Sequence, residues 1–349
     1  MLEKSRALPV TSARLALTRH ELVVTCWLSL GLAALFAASL YLGDYVVAPL
    51  DVVRSLLSPF TGVQTQGVDF IVLSLRLPRA ILAILAGAGF ALSGVMFQTL
   101  LRNPLASPDI VGISTGASAA AVFAIVVLGW GGALLSFGAL AGALLTAVAI
   151  YLLAWRDGVS PYRVVLIGIA VSAMLSAVIS YLFTRARIFE VQQAMAWLVG
   201  SLNAANTSEI IPLALALLIL VPTGLLLGRG LSALQLGDDT ARALGSRVEL
   251  SRLSLLLCAV ALSAFSTAAV GPVAFVAFVS GPIARKLLGT GRNGFVPTMV
   301  VGSCVMLGSD MLAQHALPNT QLPVGVVTGL FGASFLLWLL AMSNRQGRV

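Results

Sequence analysis

Long apolar runs constrain this chain more than any other feature. Five of them reach the roughly 20 residues that a helix needs to cross about 30 Å of hydrocarbon. They lie near residues 22–42, 80–100, 132–154, 208–228 and 322–342. Five further runs lie near 109–128, 162–183, 253–270, 273–289 and 297–316. Each of these is shorter, carries a charge or adjoins Gly271-Pro272. Because lipid offers no partner to backbone polar groups, each run predicts a helix. We therefore expect an all-α polytopic membrane protein with about ten transmembrane helices.

Composition supports the same class. The chain is 59% hydrophobic and only 10% charged, with a mean hydropathy of +1.01, which leaves too little polar surface for a soluble globule. The first run is too long for the apolar core of a secretory signal. Since the connections are mostly short, we predict a single transmembrane domain over 22–342, between tails at 1–21 and 343–349. The stretch 185–207 predicts a short helix at the membrane interface.

The distribution of Lys and Arg predicts the orientation, because these residues concentrate on the cytoplasmic side of a membrane. With ten spans and a cytoplasmic N-terminus, 16 of the 21 Lys and Arg residues fall in cytoplasmic tails and loops. The exceptions are Arg54, Arg76, Arg79, Arg185 and Arg187. Both termini are therefore expected in the cytoplasm. The net charge of +8 reflects this topology and attraction to membrane lipid, not nucleic-acid binding.

Few residues in this sequence have the type and spacing that catalysis or metal binding requires. Cys26, Cys258 and Cys304 lie in apolar runs without the spacing of metal ligands, and His20 and His315 are far apart. Neither lysine follows a glycine, as the phosphate-binding lysine of a P-loop does. We predict a chain that is not an enzyme, has no catalytic residues and binds neither a metal nor a cofactor.

Asp310 is the one carboxylate that lies deep in a predicted span. An ionisable group there is costly unless it is paired or used. The sequence leaves open a helix-end or internally paired carboxylate and a proton relay, and a relay would suit an ion-coupled secondary transporter. Without a ladder of charges, we expect another chain to supply the energy for passage. A membrane scaffold or receptor component without transport is a further alternative.

A rigid break separates two apolar runs at LRNPLASPDIVG, residues 101–112. Pro104 keeps Asn103 out of helical space, and Pro108 suits the start of a new helix. The longer string GVMFQTLLRNPLASPDIVGISTGAS closely resembles the signature of permease subunits of iron-siderophore and vitamin B12 ABC importers. The segments LRLPRAILAILAGAGFALSG, LGDDTARALG, AVGPVAFVAFVSGPIARKLLG and LPVGVVTGLFGASFLLWLL match further blocks in family order. The resemblance covers about residues 20–342.

This resemblance implies the vitamin B12 importer permease-like bundle of ten helices and a set of partners. It implies a second permease subunit, two cytoplasmic ABC ATPases that bind ATP and Mg²⁺, and an extracytoplasmic binding protein. The expected function is the translocation of an iron(III)-siderophore across the bacterial cytoplasmic (inner) membrane by alternating access. Haem, vitamin B12 or another metal chelate is the alternative cargo.

The resemblance also assigns roles to individual residues. The expected cytoplasmic gate comprises Asn103, Leu105, Ser160, Pro161 and Tyr162. The expected ATPase-coupling helix, in the loop at about 236–252, comprises Asp238, Asp239, Thr240, Ala241, Arg242, Ala243, Leu244 and Gly245, and an ordinary loop is the alternative. Binding-protein docking is expected at Arg76 and Arg79, for which contact with headgroup phosphates is the alternative.

Three departures from the family pattern concern the dimer. Gly281-Pro282 stands where relatives commonly have Pro-His, and Gln314 replaces a third docking arginine of some relatives. Pro161 and Tyr162 are bulkier than the Ser or Thr often found at the second gate element. These departures favour a heterodimer with a different permease over a homodimer.

Overall fold

The predicted apolar runs fold into helices, as the lack of backbone partners in lipid requires. The computed structural model describes residues 10–43, 45–62, 67–156, 160–203, 205–235, 238–243, 248–289, 294–317 and 320–346. Its α-helices are α1 (Val10–Tyr41), α2 (Pro49–Thr61), α3 (Leu77–Leu100), α4 (Pro108–Val111), α5 (Ile113–Val126), α6 (Gly132–Ala154), α7 (Pro161–Arg185), α8 (Ile188–Leu198), α9 (Thr207–Gln235), α10 (Asp238–Ala243), α11 (Val248–Val270), α12 (Val276–Leu288), α13 (Phe295–His315) and α14 (Val324–Gln346). A π-helical segment, Phe70–Arg76, leads directly into α3.

Ten of these helices correspond to the ten predicted runs. Within the described ranges, seven are long and apolar enough to cross a membrane: Thr18–Tyr41, Phe70–Leu100, Gly132–Ala154, Tyr162–Arg185, Thr207–Gly228, Val248–Val270 and Phe295–His315. Two shorter apolar helices, Ile113–Val126 and Val324–Leu339, and the 13-residue α12 complete the set. The all-α fold with about ten transmembrane helices is confirmed. Of the predicted N-terminal tail, residues 10–21 belong to α1, and residues 1–9 lie outside the described part of the chain.

Short connections place successive spans antiparallel, so the bundle has two ends. We call one the Asn103 end, because it carries the turn after α3, the connection from α6 to α7, and α10. The other is the Arg76 end, which carries α2, the π-helical segment and α8. The gate and coupling segments predicted from the sequence therefore share one end, and the predicted docking arginines lie at the other.

Helix α3 is the most buried of the long spans, with 78% of its apolar stretch covered. It packs against α9, α11, α12 and α13. A Cβ atom on Gly87 of α3 would collide with the carbonyl of Gly302 in α13, so these two backbones touch directly. An 18-residue apolar window of α1, by contrast, contains no buried residue, and only 17% of the corresponding window of α7 is buried. The chain thus surrounds α3 and leaves α1 and α7 at its periphery.

The expected short helix between α7 and α9 is present as α8. Its start exposes Ile188 and Phe189, whereas Ala194 is buried. The loop after α8 enters the bundle, where the amide of Ser201 donates to the carbonyl of Val270 at 2.9 Å. This bond fixes the loop to the last residue of α11.

Candidate functional site

The turn after α3 is held by hydrogen bonds of its own backbone and of one side chain. The amide of Asn103 donates to the carbonyl of Gln98 at 3.0 Å. The Oδ1 atom of Asn103 accepts from the amide of Leu105 at 2.9 Å, a local turn that asparagine favours. Arg102 adopts a φ of 49°, in the left-handed region that most residues avoid. The predicted rigid break is thus a specific turn in which Asn103 is exposed.

This turn leads into contacts with α7. The short helix α4 ends at Gly112, whose φ of 96° suits glycine. A Cβ atom there would collide with the Ser172 hydroxyl of α7, and a Cβ atom on Gly168 of α7 would collide with the carbonyl of Val111. Close packing on α7 therefore positions the segment that follows the turn at Asn103.

The second predicted gate element forms the start of α7. Ser160 is the extended N-cap residue and Pro161 occupies the first turn, a favoured place for proline. Tyr162 follows with 74% of its surface exposed. Val111 of α4 and Val164 of α7 line one small cavity. The structure thus links the two gate segments through the contact between α4 and α7 at the Asn103 end.

Gln98 connects the turn at Asn103 to α12, and sequence analysis did not assign it a role. Its side chain is 3% exposed. Its Nε2 atom donates to the carbonyl of Phe278 at 2.9 Å, and its Oε1 atom accepts from Nη2 of Arg285 at 2.8 Å. Its own backbone carbonyl accepts from Asn103. The sequence signal was Pro282, which cannot donate the helical hydrogen bond to Phe278 four residues earlier.

The predicted coupling segment is helical in its described part. Helix α10 runs from Asp238 to Ala243 and includes most of the predicted residues, while Leu244 and Gly245 lie outside the described residues. Ala241 is fully buried, whereas Thr240, Arg242 and Ala243 are exposed. The helix packs on α9 and α11. Ala241 therefore anchors α10 to the bundle, whereas Thr240, Arg242 and Ala243 lie at the surface.

Arg76 holds the end of α1. Its Nη1 atom donates to the carbonyl of Leu40 at 2.8 Å and to that of Tyr41 at 3.2 Å. Its Nη2 atom donates to the carbonyl of Tyr45. The carbonyls of Leu40 and Tyr41 belong to the last turn of α1, where helical donors are lacking, and Tyr45 follows the helix. Arg76 thus caps α1 from the π-helical segment.

Arg79 forms an ion pair with Asp310, which resolves the alternatives for this carboxylate in favour of internal pairing. Both Nε and Nη2 of Arg79 reach the carboxylate, with Nη2 to Oδ1 at 2.8 Å. Asp310 is 1% exposed and the Arg79 side chain 13%. Gln314 donates to Oδ2 of Asp310 at 2.8 Å, and Nη1 of Arg79 reaches Gln321 at 3.4 Å. Bidentate geometry of this kind gives a strong and directional contact.

Both arginines line a cavity of about 370 Å³ at the Arg76 end. Asn203, Gln314 and Gln321 also contribute to its wall. This cavity is open to a partner or a ligand with polar groups. Within the described ranges, no group of three or more His, Cys, Asp or Glu side chains is placed to hold a metal ion.

One face of α7 combines exposure with small and polar side chains. Ser176, Ser180 and Thr184 recur at helical spacing and are exposed, and Ala173 and Ala177 lie among them. The hydroxyls of Ser180 and Thr184 donate to carbonyls of α7 itself, to that of Ser176 at 3.0 Å and to that of Tyr181 at 2.7 Å. Small and hydroxyl-bearing residues are typical of helix contacts within membranes and of polar paths.

Known proteins are similar in sequence to this chain over most of its length. The model of the FecCD transport family matches residues 31–342. The ferric enterobactin transport system permease protein FepG of Escherichia coli (strain K12) is 39% identical over 281 residues, which cover 80% of this chain and 85% of FepG. The ferric enterobactin transport system permease protein FepD of the same organism is 35% identical over 297 residues, 84% of this chain and 88% of FepD.

A solved structure shares the architecture as well. It is described as an inward-facing conformation of a metal-chelate type ABC transporter. The TM-score is 0.79 at 26% sequence identity, and the match covers 92% of this chain and 99% of the other. The arrangement of helices described above is therefore that of a transporter subunit.

Proposed function

Because the chain belongs to the FecCD transport family, we propose that it is the permease subunit of an ATP-binding-cassette importer whose cargo is a ferric siderophore. The observation that carries this proposal is the match with a permease named for ferric enterobactin transport over 80% of this chain. The chain is a multi-pass transport subunit of the inner membrane, and ATP is hydrolysed by a separate ATPase. Alternating access then requires that its two ends open in turn.

The Asn103 end faces the cytoplasm in this proposal. Basic residues support that orientation, because Arg102, Arg156, Arg163 and the pair Arg285-Lys286 all lie at this end. Both termini are then cytoplasmic, and the Arg76 end faces outward. Nucleotide-driven motion would thus reach the chain at α10.

A path of contacts leads from α10 to the gate turn. Helix α10 packs on α11, and α11 contacts α4, which follows the turn directly. We assign the coupling role to Asp238–Gly245 and the gate role to the turn at Asn103 and Leu105 and to Ser160–Tyr162. Motion of α10 would shift α11 and α4, and with them the turn.

A second permease subunit covers the exposed face of α7 in this proposal. The small exposed side chains of Ala173, Ser176, Ala177 and Ser180 let another helix approach closely, so a partner subunit or the translocation path is the better cover. FepG and FepD bear the name of one transport system in one organism. We therefore favour a heterodimer over a homodimer.

Docking of an extracytoplasmic binding protein belongs at the Arg76 end. The polar cavity lined by Arg76 and Arg79 supports this, although both guanidinium groups already bond within the chain. A metal chelate other than a siderophore, such as haem or vitamin B12, is the second candidate cargo, since the solved relative is described as a metal-chelate type transporter. The ion-coupled alternative loses its support, because Asp310 is paired with Arg79.

Reconstitution in liposomes tests the proposal. The chain would be combined with its neighbouring permease, ATPase and binding protein, and uptake of labelled ferric siderophore would be measured with ATP on the ATPase side. Uptake that requires ATP and both permeases is expected. Uptake without the second permease would refute the heterodimer, and uptake by this chain alone in an ion gradient would refute the importer. ATPase stimulation only by a haem or cobalamin binding protein would refute the siderophore cargo.

A further inference from the structure

Helix α2 turns its apolar side chains away from the protein. Its outward face carries Leu50, Val53, Leu57 and Phe60, which are 60%, 53%, 50% and 88% exposed. Their spacing of three, four and three residues places them in one row on a helix. The opposite face buries Val52, Ser55 and Ser58. This arrangement is the reverse of a helix in water, which buries its apolar face.

The helix is firmly seated, so its outward row has a fixed direction. Val52 packs in a cluster with Leu40 of α1 and Val72 of the π-helical segment. At its end, the amide of Gly62 donates to the carbonyl of Ser58 at 2.9 Å, with glycine in the left-handed conformation that ends many helices. A row of large apolar side chains fixed in this way needs a non-aqueous cover.

Continuity with α1 identifies lipid as that cover. An 18-residue apolar window of α1 contains no buried residue, and Leu22, Trp27 and Leu30 are 61%, 70% and 60% exposed, so this side of α1 faces the hydrocarbon of the membrane. Leu42, Tyr45 and Val46, at 40%, 60% and 58% exposed, extend this surface from the end of α1 to α2. Tyrosine is typical of the zone where hydrocarbon meets headgroups. The row on α2 therefore continues a surface that already contacts the membrane.

Arg54 supports the same assignment. Its side chain is 62% exposed, and it pairs with Asp51 at 3.3 Å. At about 100° per residue, Arg54 lies next to the edge of the apolar row. A basic residue at that edge can extend its charged group to lipid phosphates while its aliphatic part stays among acyl chains.

We propose that α2 lies in the lipid interface at the Arg76 end, with Leu50, Val53, Leu57 and Phe60 among the upper acyl chains and Arg54 at the phosphate groups. The helix then sets the depth of the π-helical segment and of Arg76 relative to the membrane surface. This role does not depend on the cargo or on the choice of partner subunits.

Spin labels on the two faces of α2 test this proposal. In a background with Cys26→Ala, Cys258→Ala and Cys304→Ala, a nitroxide would be attached to Leu57→Cys or Phe60→Cys. Pro59→Cys is the matched control, because Pro59 is also exposed but lies about 160° around the helix from Leu57. The complete transporter would be placed in liposomes of phosphatidylethanolamine and phosphatidylglycerol. Collision rates with oxygen and with a water-soluble nickel chelate would be measured.

A several-fold higher ratio of oxygen to nickel collisions at positions 57 and 60 than at 59 is expected. Equally low ratios of oxygen to nickel collisions at all three positions would place the row in water and overturn the proposal. Low collision rates with both reagents would indicate that another permease subunit covers the apolar row of α2. A fall in the oxygen collision rate at positions 57 and 60 when binding protein is added would make that protein the cover instead. If one variant fails to insert, Val53→Cys on the same row replaces it.

Discussion

The side chain of Gln98 satisfies the carbonyl of Phe278 that a proline in α12 leaves without a partner. The amide nitrogen lies 2.9 Å from that oxygen. In a regular helix the donor would be residue 282, but Pro282 has no N–H. Since the backbone of Gln98 also receives the bond from Asn103, the gate turn and α12 are joined through one residue.

Removal of the Gln98 donor should therefore depend on Pro282. Gln98→Glu keeps an acceptor for Arg285 but loses the donor to Phe278, and an unsatisfied buried carbonyl costs about 1–3 kcal/mol. Pro282→Ala restores a helical N–H, so Gln98→Glu should cost less in that background. Thermal unfolding and siderophore uptake of the two single variants and the double variant would be compared. An equal loss in both backgrounds would show that the two residues act independently.

Loss of the Asp310 carboxylate should destabilise the contact between α3 and α13. Asp310→Asn leaves the charge of Arg79 poorly compensated, and breaking a buried pair costs about 3–5 kcal/mol. We expect the lower end of that range, since Arg79 keeps some exposure. Asp51→Asn, which breaks the exposed pair with Arg54, is the matched control and should cost about 0–1 kcal/mol. Unfolding of both variants in the same detergent measures the difference, and similar costs would contradict it.

A charge swap separates the docking role of Arg79 from its structural role. Arg79→Glu combined with Asp310→Arg keeps an ion pair inside the chain but moves the positive charge from α3 to α13. If binding-protein docking uses the cation at position 79, affinity should fall, and the difference from wild type should shrink at high salt because salt screens charges. Binding would be measured at two ionic strengths. Unchanged affinity with intact folding would remove Arg79 from the docking site.

Charge reversal in α10 should uncouple ATP hydrolysis from transport. Arg242 is exposed on a helix whose Ala241 is fully buried, so Arg242→Glu reverses a charge on the exposed side of α10. We expect normal membrane insertion, a strong loss of uptake and retained ATPase activity. Arg242→Lys keeps the charge and is the control. Normal uptake by Arg242→Glu would refute the docking role of this helix.

The gate turn should tolerate only an acceptor at position 103. Asn103→Asp keeps the oxygen that accepts from Leu105, whereas Asn103→Ala removes it and should cost about 1 kcal/mol locally. We expect the alanine variant to leak or to transport less per ATP hydrolysed, and the aspartate variant to remain close to wild type. The ratio of uptake to hydrolysis measures this. Identical ratios in the two variants would contradict a role for this hydrogen bond.

Sequence alone determined the features that depend on hydropathy and local backbone geometry. The ten runs became helices because lipid leaves backbone groups no other partners. Pro104 and Pro108 dictated the break between α3 and α5 because proline fixes its own φ and restricts the residue before it. The motifs of the gate turn and of α10 identified the family before any contact was known.

The tertiary structure decided which distant side chains meet. Asp310 and Arg79 are 231 positions apart, and Gln98 and Phe278 are 180 apart. The sequence showed an unusual pair of arginines but not that the carboxylate for one of them lies on α13. It showed a proline in α12 but not the glutamine that compensates for it. Hydropathy fixes that a helix forms, whereas the choice of its neighbours depends on the close packing of whole helix faces, which no local pattern encodes.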